Sequence, residues 1–479
     1  MPSAGLWMLA VLAMLIVGTG LPVWALLLGV SSAFAALGVA TGAFAPSVLT
    51  AVVQRTGNLL EHDLLQALPL YVWIGVLLQR LPVADALFDA GARLFRRTGA
   101  GPSLAALALG ALVAPMNGSV AASSALLARL VAPRLRALPT GRGVALVAAA
   151  ATIGVVVPPS LVLILLGDAM MRAHTEAMNL AGPGTALAAQ RIVNSQDVLR
   201  AALLPALLVL AIWTLAAWWQ GRGREGAASP GLPPRRWALA GVAALAIVLL
   251  LAGVFSGRLF AVEGAAAGGC LLGVVALLTR ALSGQAWKEV LLDTLALSGA
   301  LFALLVGATS FSLVFGLFGT GTWLAQATQA APWPPLAVAA ALLAGVAACA
   351  CVLDAFEMIF VVVPVVAPLL VLRLGDAQQA AVLLLLVLQL SFLLPPMGYA
   401  VLMARARSGL PAGSTAQVLG ALWPFLGAQL LVAGLVFAVP RLVHQLDAAT
   451  PPASAAPVES EDDLVRRMRE MAPEPDAPR

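Results

Sequence analysis

The chain has 479 residues, 61% of them apolar and only 10% charged, with a formal net charge of +5. Soluble domains carry roughly 25% charged residues, so this composition excludes a water-covered globule and makes lipid the solvent. Nor does the positive charge indicate nucleic acid. The arginines sit in short loops between apolar runs instead of forming a stripe interleaved with aromatics, which is the pattern that orients membrane helices.

Nearly uncharged runs fall at roughly 5–20, 22–45, 101–128, 143–167, 201–218, 237–256, 259–279, 294–325, 335–353, 355–372, 377–404 and 416–440, and a helix needs about 20 such residues to cross the bilayer core. Leu6 to Val17 has no Lys or Arg before it and another apolar run directly after it, so it reads as a retained first helix and not a cleaved signal. Arg80, Arg93, Arg96 and Arg97 precede the run 101–128, and Arg129, Arg134, Arg136 and Arg142 follow it. Both ends are therefore expected in the cytoplasm, which makes the run a hairpin turned at Pro115, Asn117, Gly118 and Ser119. Non-helical backbone survives at that depth only where protein or a water-filled cavity receives it. In 143–167 the pair Pro158-Pro159 should interrupt the helix and free carbonyls for a cation. Arg222, Arg224, Arg235 and Arg236 read as cytoplasmic, placing the polar segment Asp168 to Asp197 outside.

The polar stretch 221–236 divides this first half (1–220) from a second (237–446) with the same grammar. Asp354 interrupts the hairpin run 335–372, and Pro395-Pro396, within Gln389 to Gly398, breaks 377–404. Asn117 to Pro158 spans 158 − 117 = 41 residues, and Asp354 to Pro395 spans 395 − 354 = 41. Tracing back from Arg405 and Arg407 puts the open ends of the second hairpin outside, opposite to the first. The expected fold is an all-α polytopic membrane protein with inverted-topology repeats, two re-entrant helical hairpins and two discontinuous helices, the arrangement in which secondary transporters bind at the midplane. Residues 447–479, rich in Pro, Ala, Ser, Glu and Asp, read as a disordered tail, with a short docking helix at 459–471 as the alternative.

An ionisable side chain within the bilayer is costly and usually functional. Asp354 is accordingly either a coupling-ion ligand or hairpin gate, or a carboxylate that only caps a helix; Glu357 follows at i+3. Gln389 either lines a site or joins two helices, and Thr152 faces the same choice. Cys270, Cys349 and Cys351 have no metal or redox spacing and read as packing residues, His62, His174 and His444 form no ligand set, and Trp218-Trp219 reads as an interface anchor. Ser119, Ser123 and Ser124 have no base within the spans to activate them, so no enzyme is expected. The chain contains no Gly-x-x-x-x-Gly-Lys-Ser/Thr loop, which fits ion coupling instead of ATP hydrolysis. An ion channel would need a continuous polar pore, which so few charged residues do not favour.

The string Leu68 to Leu78, Asn117-Gly118-Ser119, Thr152 to Ser160, Asp354, Pro364, Pro368 and Gln389 to Gly398 together resemble the large permease subunit of tripartite ATP-independent periplasmic (TRAP) transporters. The resemblance runs from the first helix to about Leu446 and is greatest to the branch labelled mannitol/chloroaromatic, on Leu166-Gly167-Asp168, Leu301 to Ser312 and Gln389 to Phe392. It implies a sodium-driven importer in the bacterial inner membrane, with Na+ as coupling ion and no other cofactor. Its cargo would be an organic anion, such as a 2-oxo acid or lactate, handed over by a periplasmic solute-binding protein, and a small four-helix subunit would brace the large one. On this resemblance the sodium or substrate candidates are Asn117, Gly118, Ser119, Thr152, Pro158, Pro159, Asp354, Gln389, Pro395, Pro396 and Gly398, with Asn117, Ser119 and Asp354 as Na+ ligands. The family's Ser-Gly-Ser has become Asn117-Gly118-Ser119, and its Thr-Pro-Pro has become Leu394-Pro395-Pro396, which lacks the hydroxyl. A two-component sodium/carboxylate symporter without a binding protein shares the inverted hairpins and is the alternative.

Overall fold

The computed structural model describes residues 2–60, 63–117, 120–158, 160–182, 185–187, 190–222, 232–394, 398–411 and 413–447. In the first half α1 (Pro2–Thr19) and α2 (Val23–Ala40) lead through α3 (Thr50–Leu60) to α4 (Asp63–Arg80) and α5 (Val83–Leu94). A hairpin follows, α6 (Gly101–Asn117) and α7 (Val120–Leu130), then α8 (Arg142–Val156), α9 (Leu161–Ala181) and α10 (Ser195–Gly221). In the second half come α11 (Pro234–Phe255), α12 (Ala261–Leu278), α13 (Gly284–Leu317) and α14 (Thr320–Ala330). The second hairpin is α15 (Pro335–Ala350), then α16 (Ala355–Glu357), a π-helical turn Met358–Val362 and α17 (Val363–Leu374). It is followed by α18 (Ala377–Ser391), α19 (Tyr399–Ser408) and α20 (Thr415–Ala438).

One interval relates the halves. Arg80 and Leu317 end α4 and α13, while Val83 and Thr320 begin α5 and α14; 317 − 80 and 320 − 83 both equal 237, the separation of Asn117 from Asp354. The packing repeats in exchanged form: α2 lies on α13 and α12 on α4, α11 on α5 and α1 on α14, α17 on α9 and α7 on α19. Exchanged contacts of this kind are what a pseudo-two-fold relation between two copies produces.

Among the described residues six helices are long and apolar enough to cross a membrane, and two further pairs, α4–α5 and α8–α9, are bent by 66° and 43°. Helices apolar all round belong in the interior. Accordingly α8 is buried from Gly143 to Val156 and α18 from Ala377 to Ser391, whereas α11 turns Val242, Leu245, Val248 and Leu249 outward. Both halves before the breaks thus form the centre of the fold. Gly110 of α6 makes the close approach there possible: a Cβ at this position would lie 2.2 Å from the Ala150 carbonyl oxygen of α8.

Several expectations need correction. No apolar run marked α4 and α5, because Asp63, Gln66, Gln79 and Arg80 make the ends of α4 polar. The run 294–325 is two helices, the first beginning ten residues earlier at Gly284, with Arg80 bound to Glu289 and Asp293 at 2.5 and 2.7 Å. The polar segment that begins at Asp168 opens within a helix. Asp168 lies inside α9, paired with Arg172 one turn on, and the helix continues to Ala181. Cys270 and Cys349 are exposed, so within this chain they are not packing residues. Trp218 is half-buried near the end of α10 and donates to the Thr98 carbonyl at 3.2 Å, while Trp219 faces outward. His444 contacts Asp376 at 2.6 Å, and Asp376 caps α18 by accepting from the N–H groups of Gln378 and Gln379. His62 and the tail 448–479 lie outside the described residues.

Candidate functional site

The two broken helices meet, α8 on α18, and each hairpin packs on the broken helix of its own half, α6 on α8 and α15 on α18. At the first break α8 stops at Val156 because Pro158 and Pro159 supply no N–H and Pro158 disfavours helix in Val157. Pro158 is buried, and α9 restarts behind Ser160, whose Oγ accepts from the Leu163 N–H and donates to the Val155 carbonyl, both at 3.0 Å. This one hydroxyl satisfies a donor of α9 and a freed acceptor of α8. Thr152 is fully buried one turn above the break and donates to the Ala149 carbonyl at 3.0 Å. Its hydroxyl is engaged within its own helix.

At the second break the chain closes differently. The Ala400 N–H donates to the Phe392 carbonyl at 3.1 Å, and the Gly398 N–H donates to the Leu394 carbonyl at 2.7 Å. A Cβ on residue 398 would lie 2.9 Å from that same oxygen, which accounts for glycine there. Gln389 is fully buried in the last turn of α18, and its Oε1 accepts from Gln429 Nε2 of α20 at 2.8 Å. It therefore joins two helices, while its own Nε2 is buried with no hydrogen-bond partner. Thr152 and Gln389 occupy matching positions, 389 − 152 = 237.

At the tip of the second hairpin Asp354 precedes α16, and its N–H donates to Glu357 Oε2 at 3.1 Å. Asp354 Oδ1 is buried with no partner. An uncompensated buried carboxylate oxygen is expensive and fits a hard cation, which takes oxygen ligands. Among the described residues no three His, Cys, Asp or Glu side chains cluster as a metal centre. The π-helical turn directly after Glu357 is an irregularity frequent at functional sites. Asn117 ends α6, but its side chain, with Gly118, Ser119, Pro159, Pro395 and Pro396, lies outside the described residues. A cavity of about 320 Å³ lined by Met171, Arg172, Thr175, Glu176 and Ile192 is formed by α9 and the segment after it, and no break residue lines it.

The sequence matches the family described as tripartite ATP-independent periplasmic transporter, DctM component, over residues 8–442. The chain belongs to this family. It is similar to the C4-dicarboxylate TRAP transporter large permease protein DctM of Pseudomonas aeruginosa, with 26% identity over 384 residues, 78% of this chain and 84% of that protein. Its fold is shared with the YdaH transporter of Alcanivorax borkumensis, at a TM-score of 0.58 and 17% identity over 87% of this chain and 96% of the other. As a DctM-family permease, the chain is a multi-pass protein of the bacterial inner membrane.

Sequence reasoning missed two residues of this permease's core. Ser160 carried a signal, a Ser directly after a Pro-Pro pair and before an apolar run, which is an N-cap pattern. Gln429 carried only its polarity in a long apolar run; that it meets Gln389, 40 residues away in sequence, is a matter of tertiary packing.

Proposed function

We propose that this permease imports an organic carboxylate by sodium coupling, receiving it from a periplasmic solute-binding protein and working beside a small four-helix subunit. The observation that carries the reading is the partnerless buried Oδ1 of Asp354 on a hairpin tip, in a fold whose two broken helices meet. A broken helix offers carbonyls at the end of one half and a positive N-terminus at the start of the next, so cation and carboxylate are served by one region. Asp354 is the sodium ligand on the second hairpin. Asn117 and Ser119 are its counterparts on the first, inserted from the opposite side of the membrane, and the helix starts at Leu161 and Tyr399 receive the anion. The C4-dicarboxylate in the name of the Pseudomonas relative and the branch resemblance to 2-oxo acid and lactate carriers both support a carboxylate cargo.

The test is uptake of labelled lactate, pyruvate and succinate into proteoliposomes containing the chain, its small subunit and its binding protein, with and without a sodium gradient. Uptake requiring both sodium and the binding protein is expected, and Asp354→Asn should abolish the sodium dependence while the protein still inserts. Uptake without the binding protein would replace this reading with a two-component symporter. Unchanged sodium dependence in Asp354→Asn would remove Asp354 from the coupling site.

A further inference from the structure

Gln389 and Gln429 are each fully buried, and their amides are ordered by one carbonyl. Gln429 Nε2 donates both to the Leu386 carbonyl of α18, at 3.1 Å, and to Gln389 Oε1, at 2.8 Å. A carbonyl can only accept, so Leu386 dictates which way the Gln429 amide faces. Gln429 then presents a donor, and Gln389 must answer with its oxygen. The nitrogen of Gln389 is left over as a donor with no partner, buried two residues before the last residue of α18, and the oxygen of Gln429 is likewise buried without a partner. Reversing either amide would set oxygen against oxygen, or nitrogen against nitrogen, so the arrangement is fixed by chemistry and not by choice of rotamer.

Further bonds of the same kind tie α20 to its neighbours. Gln379 Nε2 donates to the Val436 and Phe437 carbonyls of α20 at 2.9 and 3.1 Å, and Trp213 Nε1 of α10 donates to the Phe425 carbonyl at 3.0 Å. The Gln379 bonds hold the register of α20 against α18, and the Trp213 bond holds α20 to α10, and together they fix the position of Gln429. A buried donor without a partner destabilises the protein, and the matching position on α8, Thr152, shows no such defect because its hydroxyl is satisfied within the helix. Of these two matching positions, only Gln389 carries an unpartnered donor.

We propose that Gln429 is a positioning residue for transport: by way of the Leu386 carbonyl it presets the Gln389 amide so that an N–H is presented to the carboxylate of the transported anion. The inference rests on the carboxylate reading given under Proposed function. Gln389 then makes the contact, and Gln429 acts only through it. A hydrogen bond to a charged group corresponds to roughly a tenfold to hundredfold change in affinity.

The test uses the complete tripartite set in proteoliposomes and whichever of labelled lactate, pyruvate or succinate the wild type takes up under a sodium gradient. Gln429→Met, which keeps the volume and removes the donor, should raise KM roughly tenfold or more with Vmax within about twofold. Gln389→Met should do the same, and the double variant should be no worse than Gln389→Met alone, because two residues acting through one contact are not additive. If Gln429→Met is recovered poorly, Gln429→Leu serves in its place. A buried glutamic acid facing the Leu386 carbonyl would stay protonated and donate as the amide did; leucine removes the donor, so KM should again rise. A KM within about twofold of wild type in the Gln429 variants while Gln389→Met raises it, or additive losses confined to Vmax and yield, would overturn the proposal. No sodium-dependent uptake of any of the three by the wild type would sink the carboxylate reading and this inference with it.

Discussion

Gly110→Ala should loosen the contact between the first hairpin and the first broken helix. The added Cβ would lie 2.2 Å from the Ala150 oxygen, 3.0 Å from its carbon and 3.1 Å from Ile153 Cγ2. An ordinary carbon–oxygen contact is about 1 Å longer than the first of these, so α6 and α8 must separate by about that much, and a gap of about 0.5–1 Å forfeits a quarter to a half of each dispersion contact along the interface. Overpacking of this kind costs about 1–3 kcal/mol, against which the alanine returns about 0.5–1 kcal/mol in helix propensity. The net effect is a loss of up to about 2.5 kcal/mol, centred on about 1 kcal/mol. Thermal unfolding of the purified protein in detergent, followed by tryptophan fluorescence, should show a lower midpoint for Gly110→Ala. Gly29→Ala on α2, where nothing lies within 4 Å of the new Cβ, should leave the midpoint unchanged or raise it. Equal midpoints for the two variants would refute the close-approach argument, and unchanged uptake by Gly110→Ala would show that the α6–α8 spacing does not govern the site.

Ser160→Ala removes the cap of α9 and leaves the Val155 carbonyl without its donor; a stability loss of about 1–2 kcal/mol is expected, with Ser160→Thr recovering most of it in the same melting assay. Asp89 holds Arg134 of the first hairpin's exit at 2.6 Å and Arg236 of α11 at 3.3 Å. Both arginines are substantially exposed, so Asp89→Asn should cost no more than about 1 kcal/mol, and its midpoint difference from wild type should shrink when melting is repeated in high salt; a difference that persists unscreened would mean that the cluster acts as a buried network.

What could be read in the sequence was what depends on local chemistry and solvent. The scarcity of charge dictates lipid as solvent, and the pair Pro158-Pro159 ends α8 at Val156, because proline lacks the N–H and disfavours helix in the residue before it. The equal 41-residue steps anticipated the two copies, which the single 237-residue interval through α4, α5, α13 and α14 extends. Local chemistry reached less far where polar residues lie on helices. Asp168 ended an apolar run and opened a polar segment, yet a partner one turn away, Arg172, lets it remain inside α9, and the polar ends of α4 hid a helix that packs on α12 and α13. The two readings of Gln389, site-lining or helix-joining, were equal in sequence because an amide can serve both. Only the tertiary structure set Gln429 against it and the Leu386 carbonyl behind both, since which way an amide faces is decided by acceptors brought from another helix.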